Sequence, residues 1–112
     1  MPSRQLGDFR FAHLLRGIDL DISDIKVRLC DEDKLKGFVS VTFDNCFVIR
    51  GMKIIEGASG LFVAMPSRKR HDGTFQDVAH PINSATREWL EGKVIAAFKR
   101  EKQQAYKQLS HA

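Results

Sequence analysis

The chain has 112 residues, of which 43% are hydrophobic and 29% charged. This composition is typical of one globular domain and excludes a disordered or fibrous chain. It contains no run of about 20 apolar residues and no basic-then-apolar secretion signal, so we expect a cytoplasmic protein that does not enter a membrane.

The net charge of +4 is unevenly distributed along the chain. Residues 1–65 carry nine Lys or Arg against nine Asp or Glu, whereas residues 66–112 carry nine against five. The second part therefore holds the whole positive excess, as an anionic partner such as nucleic acid would require. A solvated basic surface without a partner is the alternative interpretation.

Polarity alternates at the start of the predicted domain. Apolar side chains occupy every second position from Ile25 to Leu29, with basic residues between them, which predicts a strand with one buried face. The preceding residues 1–21 match no motif and are too few to bury a core of their own. We therefore expect an N-terminal extension followed by one domain over residues 22–112.

Two further strands are predicted after a charged turn at residues 31–36. Residues 37–44 alternate in polarity again, and residues 46–56 form the longest apolar-rich segment, after a turn at Asp44-Asn45. Gly51 interrupts the long segment and predicts a β-bulge or a close approach by another part of the chain.

A hairpin with a basic tip is predicted next. A short apolar strand over residues 61–65 ends at Pro66, which cannot donate to a strand ladder. Cationic sequence follows, then the strong turn signal Asp72-Gly73, and an alternating strand over residues 74–78 returns. The three basic residues expected at the tip are Arg68, Lys69 and Arg70.

A helix is predicted to begin at about Ser84, because Asn83 is placed to cap it. At about 100° per residue, one apolar face packs on the sheet while Trp89 and Lys93 fall on an outward face. The tail from about residue 103 is polar and is expected to fray.

These elements together predict an α+β fold. We expect a bent antiparallel sheet of about five strands covered by a C-terminal helix. The core of so short a chain is small, and the free edge of the strand over residues 46–56 would invite aggregation, so we also expect a homodimer formed by strand pairing.

Catalytic interpretations are weaker. Asp77 and His80 suggest a metal or acid–base site, but their spacing fits no established ligand pattern, and His80 is expected to hydrogen-bond its turn. Cys30 and Cys46 do not form a C-x-x-C motif and are expected to be thiols within strands. We expect no enzyme, cofactor, metal or small-molecule substrate, and we expect Trp89 to serve packing rather than base stacking.

Several strings of the chain resemble one known family. Those strings are FVIRGMKIIEG (residues 47–57), LFVAMPS (61–67), DG-F (72, 73 and 75) and AHPINSATR (79–87). They resemble the SpoVG family, stage V sporulation protein G, over residues 22–98. The resemblance implies a small bacterial cytoplasmic protein that forms homodimers and binds DNA or RNA as a transcription regulator. It also implies a link to septation, cell division and sporulation.

Within the hairpin, the resemblance points to particular residues. Arg68 and Lys69 match two basic residues that usually follow the serine in this family, whereas Arg70 and His71 replace a common Thr-Pro. Gln76 stands where members often have a basic residue. One positive charge has therefore moved within the hairpin relative to the family pattern.

Two more matches lie outside the hairpin. Lys53 matches a usual arginine of the long strand, and Arg87 matches the arginine that ends the AHPIN motif, in the first helical turn, where backbone amides add partial positive charge. The expected nucleic-acid-binding residues are Lys53, Arg68, Lys69, Arg70, Arg87 and Lys93. A protein-interaction adaptor that uses the same hairpin and helix face is the alternative function.

Overall fold

A computed structural model of the chain describes residues 20–110, so most of the extension expected over residues 1–21 lies outside the described part. The described chain forms a four-stranded antiparallel sheet of order β1-β2-β3-β4, a two-stranded sheet β5-β6, and one helix. The elements are β1 Ile22–Glu32, β2 Leu35–Phe43, β3 Phe47–Gly57, β4 Gly60–Ala64, β5 Ser67–Lys69, β6 Phe75–Asp77 and α1 Ser84–Ser110.

The predicted α+β class, antiparallel pairing and C-terminal helix are confirmed. The last strands differ from the expected single sheet, because β6 pairs with β5 rather than with the main sheet. Pro66 ends the pairing of the preceding strand, and its carbonyl accepts a hydrogen bond from the Val78 N–H at 2.7 Å. This bond closes the base of a separate hairpin.

The turns of the main sheet are short. The charged turn expected over residues 31–36 contracts to Asp33-Lys34, because both flanking strands extend into it. Asp44 and Asn45 form the predicted turn, with φ of 50° and 56°, values that the short polar side chains of Asp and Asn tolerate.

Both structures predicted at Gly51 are present, the β-bulge and the close approach by another part of the chain. The register between β2 and β3 shifts between Val39 and Val41, which is a bulge, and Gly51 has a φ of 86° there. A Cβ built on Gly51 would lie 3.5 Å from the Pro66 Cβ, so another segment also passes close by.

One face of the main sheet, here called the inner face, packs against α1. Leu90, Val94 and Phe98 lie four residues apart along the helix and are buried, as an amphipathic helix requires. Burial of each such side chain contributes roughly 1.5–3 kcal/mol. Within the part of the chain that the structure describes, the buried hydrophobic residues are Val39, Val41, Phe43, Met52, Ile54, Val63, Leu90, Val94, Ala97 and Phe98.

Two expectations for the helix change. Trp89 was expected on the outward face, but it is half-buried and packs against the core, which agrees with its expected packing role. The helix also continues past residue 103 to Ser110, while fraying of this polar tail stays a prediction. No helix within residues 20–110 is long and apolar enough to cross a membrane.

The helix also protects one edge of the sheet. A carboxylate oxygen of Glu91 accepts a hydrogen bond from the Val63 N–H of β4 at 3.0 Å. Because an edge strand otherwise exposes such groups to other chains, Glu91 makes the β4 edge a poor place for another strand to pair.

Candidate nucleic-acid interface

The predicted basic tip is a solvent-exposed β-hairpin, here called the basic hairpin and defined as residues 66–78. Every residue from Ser67 to Val78 is exposed. The Arg70 N–H donates to the Thr74 carbonyl at 2.7 Å, the Gly73 N–H donates to the Arg70 carbonyl at 3.1 Å, and Gly73 has a φ of 90°. Backbone bonds and one glycine therefore define the turn that the sequence predicted.

Asp72 stabilises this turn through its side chain. Its Oδ1 accepts hydrogen bonds from the Thr74 hydroxyl at 2.7 Å and from the Thr74 N–H at 3.0 Å. The hydroxyl and then the backbone donor lower the pKa of Asp72 below its usual value of 3.8, because both stabilise the carboxylate. The turn thus places a negative charge beside the basic residues at neutral pH.

Strand pairing divides the basic residues between two faces of the hairpin. Arg68 pairs with Gln76, whereas Lys69 pairs with Phe75, and successive side chains of a strand point to opposite faces. A neutral amide at position 76 avoids the like-charge pair that a basic residue opposite Arg68 would create. The tip surrounds an open depression of about 760 Å³ lined by Arg68, Lys69, Arg70, His71, Asp72 and Gln76.

The helix start follows the hairpin through a short connection. Asn83 Oδ1 accepts a hydrogen bond from the Thr86 N–H at 2.8 Å, which confirms the predicted cap. His80 Nδ1 lies 2.9 Å from the Pro81 carbonyl oxygen, so His80 contacts its own turn as expected. Arg87 is exposed in the first helical turn, and its N–H donates to the Asn83 carbonyl at 3.1 Å.

The remaining predicted residues lie on opposite sides of the main sheet. Lys53 stands between the buried Met52 and Ile54 on β3, so it projects from the outer face, away from α1. Lys93 is exposed on α1, which covers the inner face. Arg68, Lys69 and Arg70 line one depression at the hairpin tip, whereas Lys53 and Lys93 belong to separate surfaces.

The SpoVG family model matches residues 20–100. The chain belongs to the SpoVG family. Septation protein SpoVG of Bdellovibrio bacteriovorus is 51% identical over 82 residues, which are 73% of this chain and 76% of that protein. The proteins of the same name from Clostridium acetobutylicum and a Thermoanaerobacter species are each 51% identical, over 84 and 86 residues. Those matches cover 74% and 76% of this chain and 88% and 94% of the relatives.

The SpoVG match extends over the main sheet, the basic hairpin and most of α1. It begins just before β1 and ends at Arg100, so most of the N-terminal extension and the polar end of the helix lie outside it. All six predicted contact residues fall within the matched region.

A cluster on the outer face of the SpoVG sheet could not be recognised from sequence patterns. The guanidinium carbon of Arg28 lies 4.8 Å from the centroid of the Phe38 ring, and Phe38 pairs across the strands with Lys53. The alternation along β1 was a signal for the orientation of Arg28. Its neighbours depend on strand register, which no pattern in the sequence specified.

Proposed function

We propose that this SpoVG-family chain is a homodimeric DNA- or RNA-binding regulatory protein of the bacterial cytoplasm, without enzymatic activity. The observation that supports it most is the clustering of Arg68, Lys69 and Arg70 around an open depression on an exposed hairpin. Arginine and lysine side chains on such a projection can reach the phosphates of a nucleic-acid backbone.

The shape of the basic hairpin favours double-stranded DNA as its ligand. A two-stranded β-ribbon fits the major groove of DNA, where its side chains can contact both backbone phosphates and base edges. Arg87 at the helix start and the backbone amides of the first helical turn follow the hairpin in sequence and carry further positive charge. Hairpin and helix start are therefore proposed to bind together.

The proposed dimer uses the free part of β3. Within the described chain, β4 pairs with β3 only from Lys53 onward, so residues 47–52 have β2 on one side and no strand on the other. Phe47 is 62% and Val48 44% exposed on this free half-edge. A second copy that pairs here would cover both side chains and satisfy the unpaired backbone groups.

An apolar groove beside this half-edge supports the same interface. Its volume is about 390 Å³, and it lies between the start of β3 and the first turns of α1. The helix protects the β4 edge through Glu91, so the half-edge of β3 is the better candidate for pairing. The largest apolar side chains that line the groove are Leu20, Phe43, Phe47, Ile49, Met65, Trp89 and Leu90.

Sedimentation equilibrium tests the dimer directly. We expect a dimer at micromolar concentration, and we expect Phe47→Glu to shift it toward monomer by about 2 kcal/mol or more, because the substitution buries a charge at the interface. Lys34→Glu, in the turn at the far end of β2, is the matched control. A parent that sediments as a monomer at this concentration contradicts the dimer.

A protein-interaction adaptor is the second candidate, because the hairpin also carries apolar side chains. Phe75 is 68% exposed and Val78 is exposed as well. Capture of partners from a cell lysate with and without nuclease separates the two functions. A nucleic-acid-binding protein loses its captured material after nuclease treatment, whereas an adaptor retains its protein partners.

A further inference from the structure

The face of the main sheet that points away from α1 is here called the outer sheet face. It carries cationic and aromatic side chains that strand pairing aligns in a row. Strand pairing places Arg28 beside Phe38 and Phe38 beside Lys53 on three successive strands. Lys26 lies two residues before Arg28 on the same face and is exposed. Phe62 of β4 is 43% exposed and lies on this face because its neighbour Val63 is buried on the other.

The backbone sets the spacing of these side chains. Neighbouring strands lie about 4.8 Å apart, so the Cα atoms of Arg28 and Lys53 are about 10 Å apart across Phe38. The Phe62 ring lies against Gly57, where an added Cβ would be 3.0 Å from the ring. A glycine at this position therefore lets the ring lie over the turn.

The charge of this face is positive although residues 1–65 carry no net charge. Among residues 20–65, the acidic residues concentrate at strand ends and turns, as at Asp31, Asp33 and Asp44. Asp24 is on the outer face, where it lies 3.7 Å from the Lys26 Nζ at one end of the row. Folding thus separates the basic residues from most of the acidic residues around them in sequence.

We propose that the outer sheet face is a second nucleic-acid site, which binds single-stranded DNA or RNA. Phe62 stacks on a base, Lys53 contacts a phosphate, and Arg28, held against Phe38, offers its guanidinium group to an adjacent base or phosphate. This inference rests on the proposed nucleic-acid-binding function. It adds single-stranded nucleic acid as a ligand class, and it adds a binding surface that faces away from α1.

The width of the sheet selects the ligand. A four-stranded sheet is too wide for the major groove, which admits a helix or a two-stranded ribbon. Unpaired bases, by contrast, can lie on exposed aromatic rings while nearby cations track the backbone, and stacking of this kind tolerates any sequence. The positive charge of the row complements the phosphates of such a strand.

Fluorescence anisotropy with the full chain tests this site. The probes are labelled oligothymidine, oligouridine and a DNA duplex of matched length, each titrated at several salt concentrations. The variants are Phe62→Ala and Lys53→Gln, with Lys99→Gln on the exposed side of α1 as the matched charge control. Thermal unfolding verifies that each variant folds, and Phe62→Tyr, which keeps the ring, is expected to bind like the parent.

Each variant has its own expected signature. Phe62→Ala should weaken single-strand binding roughly tenfold with an unchanged salt slope, because stacking releases no counterions. Lys53→Gln should lower the single-strand slope by about 0.7, the value for one lost phosphate contact. Duplex affinity should remain that of the parent in Phe62→Ala.

The outcomes separate this inference from the proposed function. Single-strand binding by Phe62→Ala and Lys53→Gln that equals that of Lys99→Gln overturns the outer sheet face as a site. A parent that binds duplex but no single strand also overturns it and leaves the basic hairpin intact. A parent that binds neither the duplex nor either single-stranded probe overturns the proposed function as well.

Discussion

The basic hairpin and the outer sheet face present similar cations on very different supports. The hairpin strands have three residues each, and every residue from Ser67 to Val78 is exposed. The outer sheet face lies on longer strands whose opposite face is the buried core. Cations on the hairpin can adapt to a ligand but lose freedom on binding, whereas cations on the sheet are already held at a set spacing.

This contrast also concerns local stability. A segment with few buried contacts can open without unfolding the domain, whereas loss of the core unfolds everything that depends on it. The hairpin belongs to the first kind and the sheet to the second. Substitutions that weaken each support should therefore separate the two surfaces.

The largest expected effect comes from removing the support of the sheet. Phe98→Ala should lower the free energy of unfolding by about 3–5 kcal/mol, because it leaves a cavity between α1 and the inner face. Gly73→Val should change it by less than about 1 kcal/mol, although valine is strained at a φ of 90°. Urea unfolding followed by circular dichroism measures both, and a similar loss in the two variants would contradict the distinction.

A smaller effect, on duplex DNA binding, is expected from substitutions that compare the hairpin with the capped helix start. Arg68→Ala should reduce the slope of log affinity against log salt for duplex DNA by roughly one unit, as for one lost phosphate contact. Arg87→Ala should weaken binding more, on the order of tenfold, because the Asn83 cap holds its backbone and leaves less freedom to lose on binding. Affinities at two salt concentrations, measured on variants whose folding has been verified, decide the order. Parent-like binding by Arg87→Ala would leave the hairpin as the whole site.

The smallest effect is the titration of the hairpin turn. Because the folded pKa of Asp72 is lowered, its stabilisation of the turn is present above pH 3.8 and is lost as the pH falls through the lower folded value. The Thr74 amide resonance should therefore titrate with a midpoint below 3.8. Asp72→Asn should abolish this transition, and a midpoint at or above 3.8 in the parent would contradict the hydrogen-bonded turn.

Much of the fold could be predicted because its signals are local. Alternation in β1, the cap at Asn83 and the turn at Asp72-Gly73 each depend on residues close in sequence. The separation of the hairpin depends on a bond from Val78 to Pro66, which forms only in the folded chain. Local sequence signals therefore predicted which strands, turns and helix form better than they predicted which strands pair with each other.

The outer sheet face shows the same limit for a candidate site. Alternation indicates that Arg28 and Lys53 point away from the core, but the shift at Gly51 helps to decide which residues of β2 stand beside those of β3. The alignment of Arg28, Phe38 and Lys53 on three successive strands is therefore a product of register. The charge count along the chain also concealed it, because nearby acidic residues balance these cations in sequence but not in space.

The most direct test of the central claim is the salt dependence of duplex binding by the parent chain and by the double variant Arg68→Ala/Arg70→Ala. If the basic hairpin contacts phosphates, the parent should show a straight log–log decrease in affinity with salt, and the double variant a slope smaller by about 1.8. Equal slopes for the two proteins, or a parent whose affinity does not change with salt, would contradict a phosphate-binding hairpin.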